Sequence, residues 1–133
     1  GVFGIALSRY AKEVIGIESD PANISFLKSN LKLNKVENLR VYEGACEKLF
    51  PMALVNGIDT LILDPPRKGL DNMLCKNILL SSIKKILYLS CNPSTLSRDL
   101  KTLSASYAVK ALGLFDFFPQ TPHIETLAIL EKK

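Results

Sequence analysis

A cysteine followed at once by a helix start is the feature of this sequence that most clearly suggests chemistry. Cys91 comes directly after a β-type apolar run, and Asn92 and Pro93 follow it. Asparagine and proline are preferred at the N-cap and the first position of a helix. The amide groups of a helix start carry partial positive charge, which favours thiolate over thiol. We therefore expect Cys91 to be a nucleophile at the carboxyl end of a sheet strand. The alternative is an inert cysteine that closes the strand.

A stiff loop with a carboxylate is the second candidate. The segment Asp64-Pro65-Pro66-Arg67-Lys68-Gly69 follows a strand-like run that ends at Leu63. Each proline drives the residue before it into an extended conformation, so the loop is stiff. We expect it to hold Asp64 toward the ligand crevice at the end of the strand. The alternative is a rigid turn without a chemical role.

A third polar cluster precedes the last strand-like run. The segment from Phe118 to Glu125 contains Gln120, the only histidine, His123, and a carboxylate, Glu125. His123 and Glu125 are two residues apart and face the same side if the chain is extended. A carboxylate and a cysteine on neighbouring strand ends suit a nucleophile and its base. One histidine and one carboxylate do not make a metal ligand set, so we predict no metal site. The alternative is an edge loop whose histidine is simply hydrogen-bonded.

The first residues resemble part of a nucleotide-binding turn. Gly1-Val2-Phe3-Gly4 is similar to the tail of a glycine-rich turn between a strand and a helix, and no strand precedes it in the sequence. We therefore expect a fragment, truncated before Gly1. Glu18 follows Gly1 by about 17 residues, and an acidic residue roughly 20 residues after such a turn binds ribose hydroxyls in dinucleotide folds. The alternative for Glu18 is an exposed charge at a strand end.

Strand-like and helix-like segments alternate along the chain, which predicts an α/β protein with a mostly parallel sheet. The last two strands have no helix between them, so we expect them to pair antiparallel. We see no linker and predict one domain, 1–133. The predicted strands are 14–18, 38–42, 58–63, 85–90, 107–115 and 124–130. The first predicted helix follows Gly4 and runs through Tyr10, the second begins at Pro21, and the others span 47–55, 71–82 and 93–104.

Composition narrows the class of protein. A chain of 133 residues with 47% hydrophobic and 23% charged residues is ordinary for a globular domain. Its net charge of +4 mildly favours an acidic partner such as nucleic acid. The three cysteines form no Cys-x-x-Cys pair, which indicates neither a disulfide framework nor a zinc site and favours the cytoplasm. The first apolar stretch is broken by Arg9, Lys12 and Glu13, so we expect no signal peptide. No uncharged run is long enough for a bilayer, so we expect no membrane partner.

Taken together, these segments resemble the catalytic domain of the RNA (uracil-5-)-methyltransferase family, the RumA/TrmA type. The likeness runs from the first residue nearly to the last. It is carried by the glycine turn, the strand that ends at Glu18, and three longer motifs. These motifs are Leu63-Asp64-Pro65-Pro66-Arg67-Lys68-Gly69, Ser90-Cys91-Asn92-Pro93-Ser94-Thr95-Leu96-Ser97-Arg98-Asp99-Leu100 and Phe118-Pro119-Gln120-Thr121-Pro122-His123-Ile124-Glu125.

The resemblance implies a Rossmann-like fold that uses S-adenosyl-L-methionine to methylate carbon 5 of a uridine in RNA. It implies Cys91 as nucleophile and Glu125 as the base that removes a proton. For the cofactor it implies Glu18 on the ribose, Asp64 near the reaction centre, and Gly1 and Val2 along the methionine part. The residues that we assign to the RNA substrate are Pro65, Arg67, Gln120 and His123. Four basic residues have charges that suit phosphates, and the alternative is that they are plain surface charges; they are Arg67, Lys68, Arg98 and Lys101.

Several alternatives stay open at this point. The form Phe-Pro-Gln-Thr-x-His-x-Glu is more similar to the ribosomal RNA branch, and transfer RNA is the alternative substrate. A cytosine-5 methyltransferase would place a Pro-Cys pair in the loop that here reads Asp64-Pro65-Pro66-Arg67, and it is absent. A non-catalytic RNA-binding module with the same fold is a further alternative. The specific uridine, the accessory domains and the oligomeric state have no signature in this sequence.

Overall fold

The computed structural model describes residues 1–117, 119–121 and 124–133. Within them the chain divides into two compact units, Gly1–Ala53 and Leu54–Lys133. The single domain that the sequence predicts therefore stays a prediction. Among the described helices, none combines the length and apolar character needed to cross a membrane.

The first unit pairs two short parallel strands and their helices. Asp20 caps helix α2, since its carboxylate accepts hydrogen bonds from the amides of Ala22 and Asn23 at 2.8 and 3.0 Å. The side-chain amide of Asn38 donates to the carbonyls of Ser8 and Ala11 at 2.8 and 2.9 Å, which fixes the chain before the first strand. The elements are α1 (Val2–Leu7), a 3-10 turn (Ser8–Tyr10), β1 (Val14–Glu18), α2 (Pro21–Leu33), β2 (Leu39–Glu43) and α3 (Cys46–Leu54), which ends just beyond this unit.

The second unit is a four-stranded mixed sheet in the order β3-β4-β6-β5. Strand β6 runs antiparallel to both of its neighbours, which confirms the predicted antiparallel pairing of the last two strands. Strand β3 is parallel to β4. The elements are β3 (Thr60–Leu63), α4 (Asn72–Leu80), β4 (Lys85–Ser90), α5 (Pro93–Leu103), β5 (Tyr107–Phe115) and β6 (Glu125–Lys132).

The α/β class is confirmed, and the two pairs of parallel strands lie in two hydrogen-bonded sheets. Strand β1 pairs with β2, and β3 pairs with β4, each pair joined by its own helical crossover. No strand within the described ranges is hydrogen-bonded to both pairs. Within the described residues the hydrogen-bonded strands form a parallel two-stranded sheet and a mixed four-stranded sheet.

One face of the four-stranded sheet carries the core of the second unit. Side chains of β4 and β6 alternate between buried and half-buried, as expected for strands covered on one face. Helices α4 and α5 cover the buried face: the Tyr107 hydroxyl donates to the carbonyl of Ile78 on α4, and the Tyr88 hydroxyl donates to Asp99 on α5. The residues with no exposed surface are Ile78, Ile83, Ile86, Tyr88, Leu103, Ala128 and Leu130.

Shortening Ile86 should destabilise this unit strongly. Ile86 is 0% exposed in a central strand, so Ile86→Ala leaves a cavity and should lower the free energy of unfolding by about 2–5 kcal/mol. Urea denaturation followed by circular dichroism measures the loss. Lys85→Ala, at the exposed neighbouring position, is the matched control and should change stability by less than about 0.5 kcal/mol. Equal losses in the two variants would contradict this placement of the core.

Candidate active site

The register of β4 and β6 brings the predicted nucleophile and base together. Ser90 and Thr126 are direct partners in the antiparallel pair. Cys91 and Glu125 each lie one residue beyond that pair, at the neighbouring ends of β4 and β6 on the same edge of the sheet. Both side chains are half-buried, whereas Ser90 and Thr126 are buried beneath the helices. A cysteine and a carboxylate on neighbouring strand ends are thus confirmed as an arrangement, although their chemical roles stay predictions.

Two further strand ends meet at this edge. Asp64 follows Leu63, the last residue of β3, and Leu63 pairs with Tyr88 in β4. Because β3 runs parallel to β4, the exposed Asp64 lies on the same side of the unit as Cys91. Strand β5 also ends here, with Phe115 paired directly with Glu125. The edge therefore presents a thiol, two carboxylates and an aromatic ring.

The residues around Cys91 adopt the predicted helix cap. Asn92 has extended backbone angles, and its side-chain oxygen accepts a hydrogen bond from the Ser94 amide at 3.1 Å. The Ser90 hydroxyl donates to the Asn92 carbonyl at 3.0 Å and accepts from the Asn92 amide at 3.1 Å. Cys91 thus lies in a short turn between strand and helix that is closed by two hydrogen bonds between Ser90 and Asn92.

The loop after Asp64 is fixed to helix α5. The carbonyl of Arg67 accepts hydrogen bonds from the side chains of Asn92 and Thr95, both at 3.1 Å. The Arg98 guanidinium donates to the carbonyl of Lys68 at 2.9 Å. The stiff loop predicted from its prolines is therefore also bonded to the first two turns of the helix that follows Cys91.

A buried carboxylate, Asp99, lies at the centre of these contacts. Asp99 is 2% exposed, and its Oδ2 accepts from the Leu70 amide at 2.8 Å and from the Tyr88 hydroxyl at 2.6 Å. Its Oδ1 accepts from Arg98 Nε and Nη2 at 2.9 and 2.7 Å. Hydrogen bonding to the carboxylate raises the pKa of the Arg98 guanidinium. Asp99 thus joins strand β4, helix α5 and the Asp64 loop.

Sequence reasoning missed Asp99 and assigned Arg98 incompletely. The sequence predicts Arg98 as a contact for phosphate, with a plain surface charge as the alternative, whereas in the structure its Nε and Nη2 donate to Asp99 and its Nη2 also donates to the Lys68 carbonyl. The signal for Asp99 was its spacing. It lies three residues after Leu96 and four before Leu103, which are the buried apolar positions of α5. A charged residue on the buried face of a helix indicates an internal partner.

Gly69 lets the loop pass close to this carboxylate. Its φ is +78°, a left-handed conformation that favours glycine. A Cβ atom added there would lie 2.5 Å from Asp99 Oδ2 and 2.6 Å from Arg98 Nη2. The glycine of the Asp-Pro-Pro-Arg-Lys-Gly motif is therefore required by both backbone conformation and space.

Three residues predicted to contact the cofactor lie in the first unit. Glu18 ends β1, and its Oε1 accepts from the amides of Ser19 and Asp20 at 2.7 and 2.9 Å. These bonds orient the carboxylate, with Oε2 3.4 Å from the side-chain nitrogen of Asn23. Gly1 and Val2 form the exposed start of α1.

The residues assigned to RNA are only partly described. Pro65 is half-buried, and Arg67 is exposed in the turn after the two prolines. Gln120 is exposed, with a φ of +67°. His123 lies outside the described residues. Among those described, no group of three histidine, cysteine or acidic side chains is arranged to hold a metal ion.

Comparisons with known proteins identify relatives along the whole chain. The family model described as tRNA (Uracil-5-)-methyltransferase matches residues 1–133. A protein from Enterococcus faecalis described as an uncharacterized RNA methyltransferase is 40% identical over 99% of this chain and 30% of its own length. One from Halalkalibacterium halodurans, described likewise, is 41% identical over 100% of this chain and 30% of its own. The chain thus spans about a third of the length of these relatives.

A solved structure shares both fold and sequence with this chain. It is the tRNA (uracil-54, C5)-methyltransferase of Pyrococcus abyssi in complex with S-adenosyl-L-homocysteine. The identity is 35% and the TM-score 0.87, over 98% of this chain and 31% of that protein. This match confirms the Rossmann-like methyltransferase fold expected from the sequence.

The three cysteines should differ in reactivity. Burial and then the charge of Glu47 raise the pKa of Cys46, and burial and then Asp99 raise the pKa of Cys75. Both thiols therefore carry less thiolate at neutral pH than an ordinary cysteine. Iodoacetamide at pH 7 should modify Cys91 first, and alkylation of Cys46 and Cys75 should catch up only as the pH rises. Peptide mass spectrometry measures the rates, with the urea-unfolded chain as control. If Cys91 reacts no faster than the other two, it is not the accessible thiol.

Removing the Tyr88 hydroxyl should weaken the Asp99 cluster. Tyr88→Phe deprives a buried carboxylate of a donor, so the free energy of unfolding should fall by about 1–3 kcal/mol at neutral pH. Burial and the Asp99 hydrogen bond raise the pKa of Tyr88. Above pH about 10 the unfolded tyrosine ionises while the folded one stays protonated, so the stability due to Tyr88 is lost as pH rises.

Denaturant titrations of both proteins from pH 7 to 11 check this dependence. The difference in stability between the wild type and Tyr88→Phe should shrink beyond pH 10. A constant difference across that range would contradict the raised pKa of Tyr88.

Proposed function

Because this chain belongs to the tRNA (uracil-5-)-methyltransferase family, we propose that it carries the catalytic residues of an RNA methyltransferase that modifies carbon 5 of uridine. The observation that carries the proposal is the register of β4 and β6, which places Cys91 beside Glu125. The free cysteines Cys46, Cys75 and Cys91 accord with a reducing compartment such as the cytoplasm.

The residues assigned to the cofactor fit S-adenosyl-L-methionine chemically. The Glu18 carboxylate is oriented by two backbone amides at the carboxyl end of a parallel strand, where ribose hydroxyls are bound in related folds. Gly1 and Val2 would follow its methionine part, and Asp64 would lie near the reacting methyl. When bound, the cofactor supplies the methyl group that carbon 5 receives.

Cys91 makes carbon 5 reactive. Carbon 5 of uracil is a poor nucleophile on its own. Addition of the Cys91 thiolate to carbon 6 forms an S–C bond and pushes the electron pair of the 5,6 double bond onto carbon 5 and the neighbouring carbonyl. The Ser90–Asn92 turn fixes the thiol at the end of β4, so that the step depends on positioning rather than on a mobile loop.

Glu125 completes the reaction by accepting a proton. Once carbon 5 carries the methyl group, it still holds its original proton. Transfer of that proton to Glu125 restores the 5,6 double bond and expels the Cys91 thiolate, which regenerates the nucleophile. The half-buried position of Glu125, one strand away from Cys91, supports this division of roles.

The substrate is RNA with an accessible uridine. The reacting face of uracil must leave the base stack, so the target is a loop uridine or one flipped out of a helix. We propose ribosomal RNA, on the form of the segment from Phe118 to Glu125, parts of which lie outside the described residues. The similar protein of Pyrococcus abyssi is described as a transfer RNA enzyme, so both RNAs belong in the assay.

Two variants of the full-length protein separate the proposed roles. Cys91→Ala should abolish methylated product and any covalent complex with RNA. Glu125→Gln keeps the side-chain shape but cannot accept the proton, so the methylated adduct should persist. A slow band on a denaturing gel should carry label from the cofactor methyl and vanish in the double variant.

Three outcomes would contradict this account. Normal turnover by Glu125→Gln would mean that another group is the base. Neither product nor adduct with Glu125→Gln would mean that Glu125 acts before methyl transfer. Absence of product from the wild type with ribosomal and transfer RNA would favour a non-catalytic RNA-binding module.

A further inference from the structure

Two exposed phenylalanines stack on each other at the edge of the sheet. Phe115 is 41% exposed and Phe117 is 66% exposed. Their ring centroids are 5.6 Å apart, with an angle of 9° between the ring planes. Exposed aromatic surface is unfavourable in water, and a parallel pair presents a flat apolar face to solvent. Such a face is suited to a flat, apolar ligand surface.

The pair lies in line with the proposed catalytic residues. Phe115 is the direct partner of Glu125 in the β5–β6 ladder, and directly paired residues share one face of a sheet. Along β6, Glu125 alternates with the buried Thr126, so this face is the one opposite helices α4 and α5. The distance from Phe115 on β5 across β6 to the end of β4 is two interstrand spacings, roughly 10 Å. One or two nucleotides of an extended strand span that distance.

Gly113 shapes the position of the first ring. It is two residues before Phe115, on the same face of β5, and an added Cβ would lie 3.2 Å from Phe115 Cε2. The missing side chain lets the Phe115 ring lean over its own strand. The outer ring, Phe117, is left as the more exposed member of the stack.

An unstacked nucleobase fits this surface better than a protein partner does. Aromatic side chains on an exposed sheet face stack bases of single-stranded RNA, and the interaction tolerates any base because every base has a π face. The sheet face that carries the Phe115 and Phe117 rings is continuous with the Cys91–Glu125 site. The other large exposed apolar side chains of β5 pair with residues of β6 whose side chains are buried, and so point to the opposite face; they are Val109, Leu112 and Leu114.

We propose that Phe115 and Phe117 form a stacking platform for a nucleobase of the RNA strand next to the target uridine. The proposal rests on the proposed function for its ligand, because the RNA is the strand whose uridine enters the Cys91–Glu125 site. The platform holds the neighbouring base in place of the stacking that the strand loses when the uridine is extruded.

Equilibrium binding tests the platform without any methyl transfer. A fluorescein-labelled oligouridylate is titrated with the chain at fixed salt, and anisotropy gives the affinity. Phe117→Leu keeps apolar volume but removes the ring and should bind about 5- to 150-fold more weakly, which corresponds to the 1–3 kcal/mol of one base stack. Phe117→Tyr keeps the ring and should restore the affinity. Leu114→Ala, on the opposite face of the same strand, is the matched control and should bind like the wild type.

A fluorescence readout reports stacking directly. The chain contains no tryptophan, so Phe117→Trp introduces a single indole. Oligouridylate should quench its emission, and an abasic oligomer of the same length and charge should not. Leu114→Trp should be insensitive to both oligomers.

The outcomes also separate this proposal from the proposed function. If the wild-type protein forms no adduct with RNA while Phe117→Trp is still quenched by oligouridylate and not by the abasic oligomer, only the proposed chemistry is refuted. Unchanged affinity in Phe117→Leu, equal quenching by the abasic oligomer, or absence of oligouridylate binding to the wild type would overturn the platform. A change of sedimentation coefficient in Phe117→Leu would overturn it in favour of a contact between copies of this chain.

Discussion

The antiparallel register between β4 and β6 is the constraint on which the candidate site depends. With Ser90 opposite Thr126, the next residue on each strand is Cys91 and Glu125. A shift of one residue would turn Glu125 to the helix-covered face and separate it from the thiol. The register is fixed by burial, because Tyr88 pairs with Ala128 and Ile86 pairs with Leu130, and all four side chains are fully buried. The packing of the core thus determines which two side chains meet at this edge of the sheet.

The buried Asp99 carboxylate is the second constraint, and it acts on the loop beside Cys91. A charge removed from water is tolerated only when its hydrogen bonds are satisfied, and Asp99 has donors from Leu70, Tyr88 and Arg98. These donors come from a loop, a strand and a helix, so satisfying the carboxylate also fixes their relative positions. Gly69 is the residue that allows the loop to approach. The result is a rigid support for the segment that contains Asp64 and Arg67.

Local sequence signals predicted the elements well because the determinants are local. The strand before Cys91 has the predicted limits, Lys85–Ser90, and Asn92 is the predicted N-cap. The last strand begins at Glu125, one residue later than predicted. Non-local features were beyond these signals. The division into two sheets, the role of Asp99 and the stacking of Phe115 on Phe117 depend on residues brought together by tertiary packing. His123, predicted for the substrate, lies outside the described residues.

The central claim is that Cys91 forms the covalent bond to uracil. The most direct measurement uses RNA in which the target uridine is replaced by 5-fluorouridine, together with S-adenosyl-L-methionine. In 5-fluorouridine a fluorine replaces the proton at carbon 5, and a base cannot remove fluorine as a cation. The step assigned to Glu125 is therefore blocked, and the adduct accumulates. Digestion and tandem mass spectrometry should find the methylated 5-fluorouracil on the peptide that contains Cys91. Attachment to Cys46, Cys75 or another residue, or no attachment to the wild-type protein, would contradict the account.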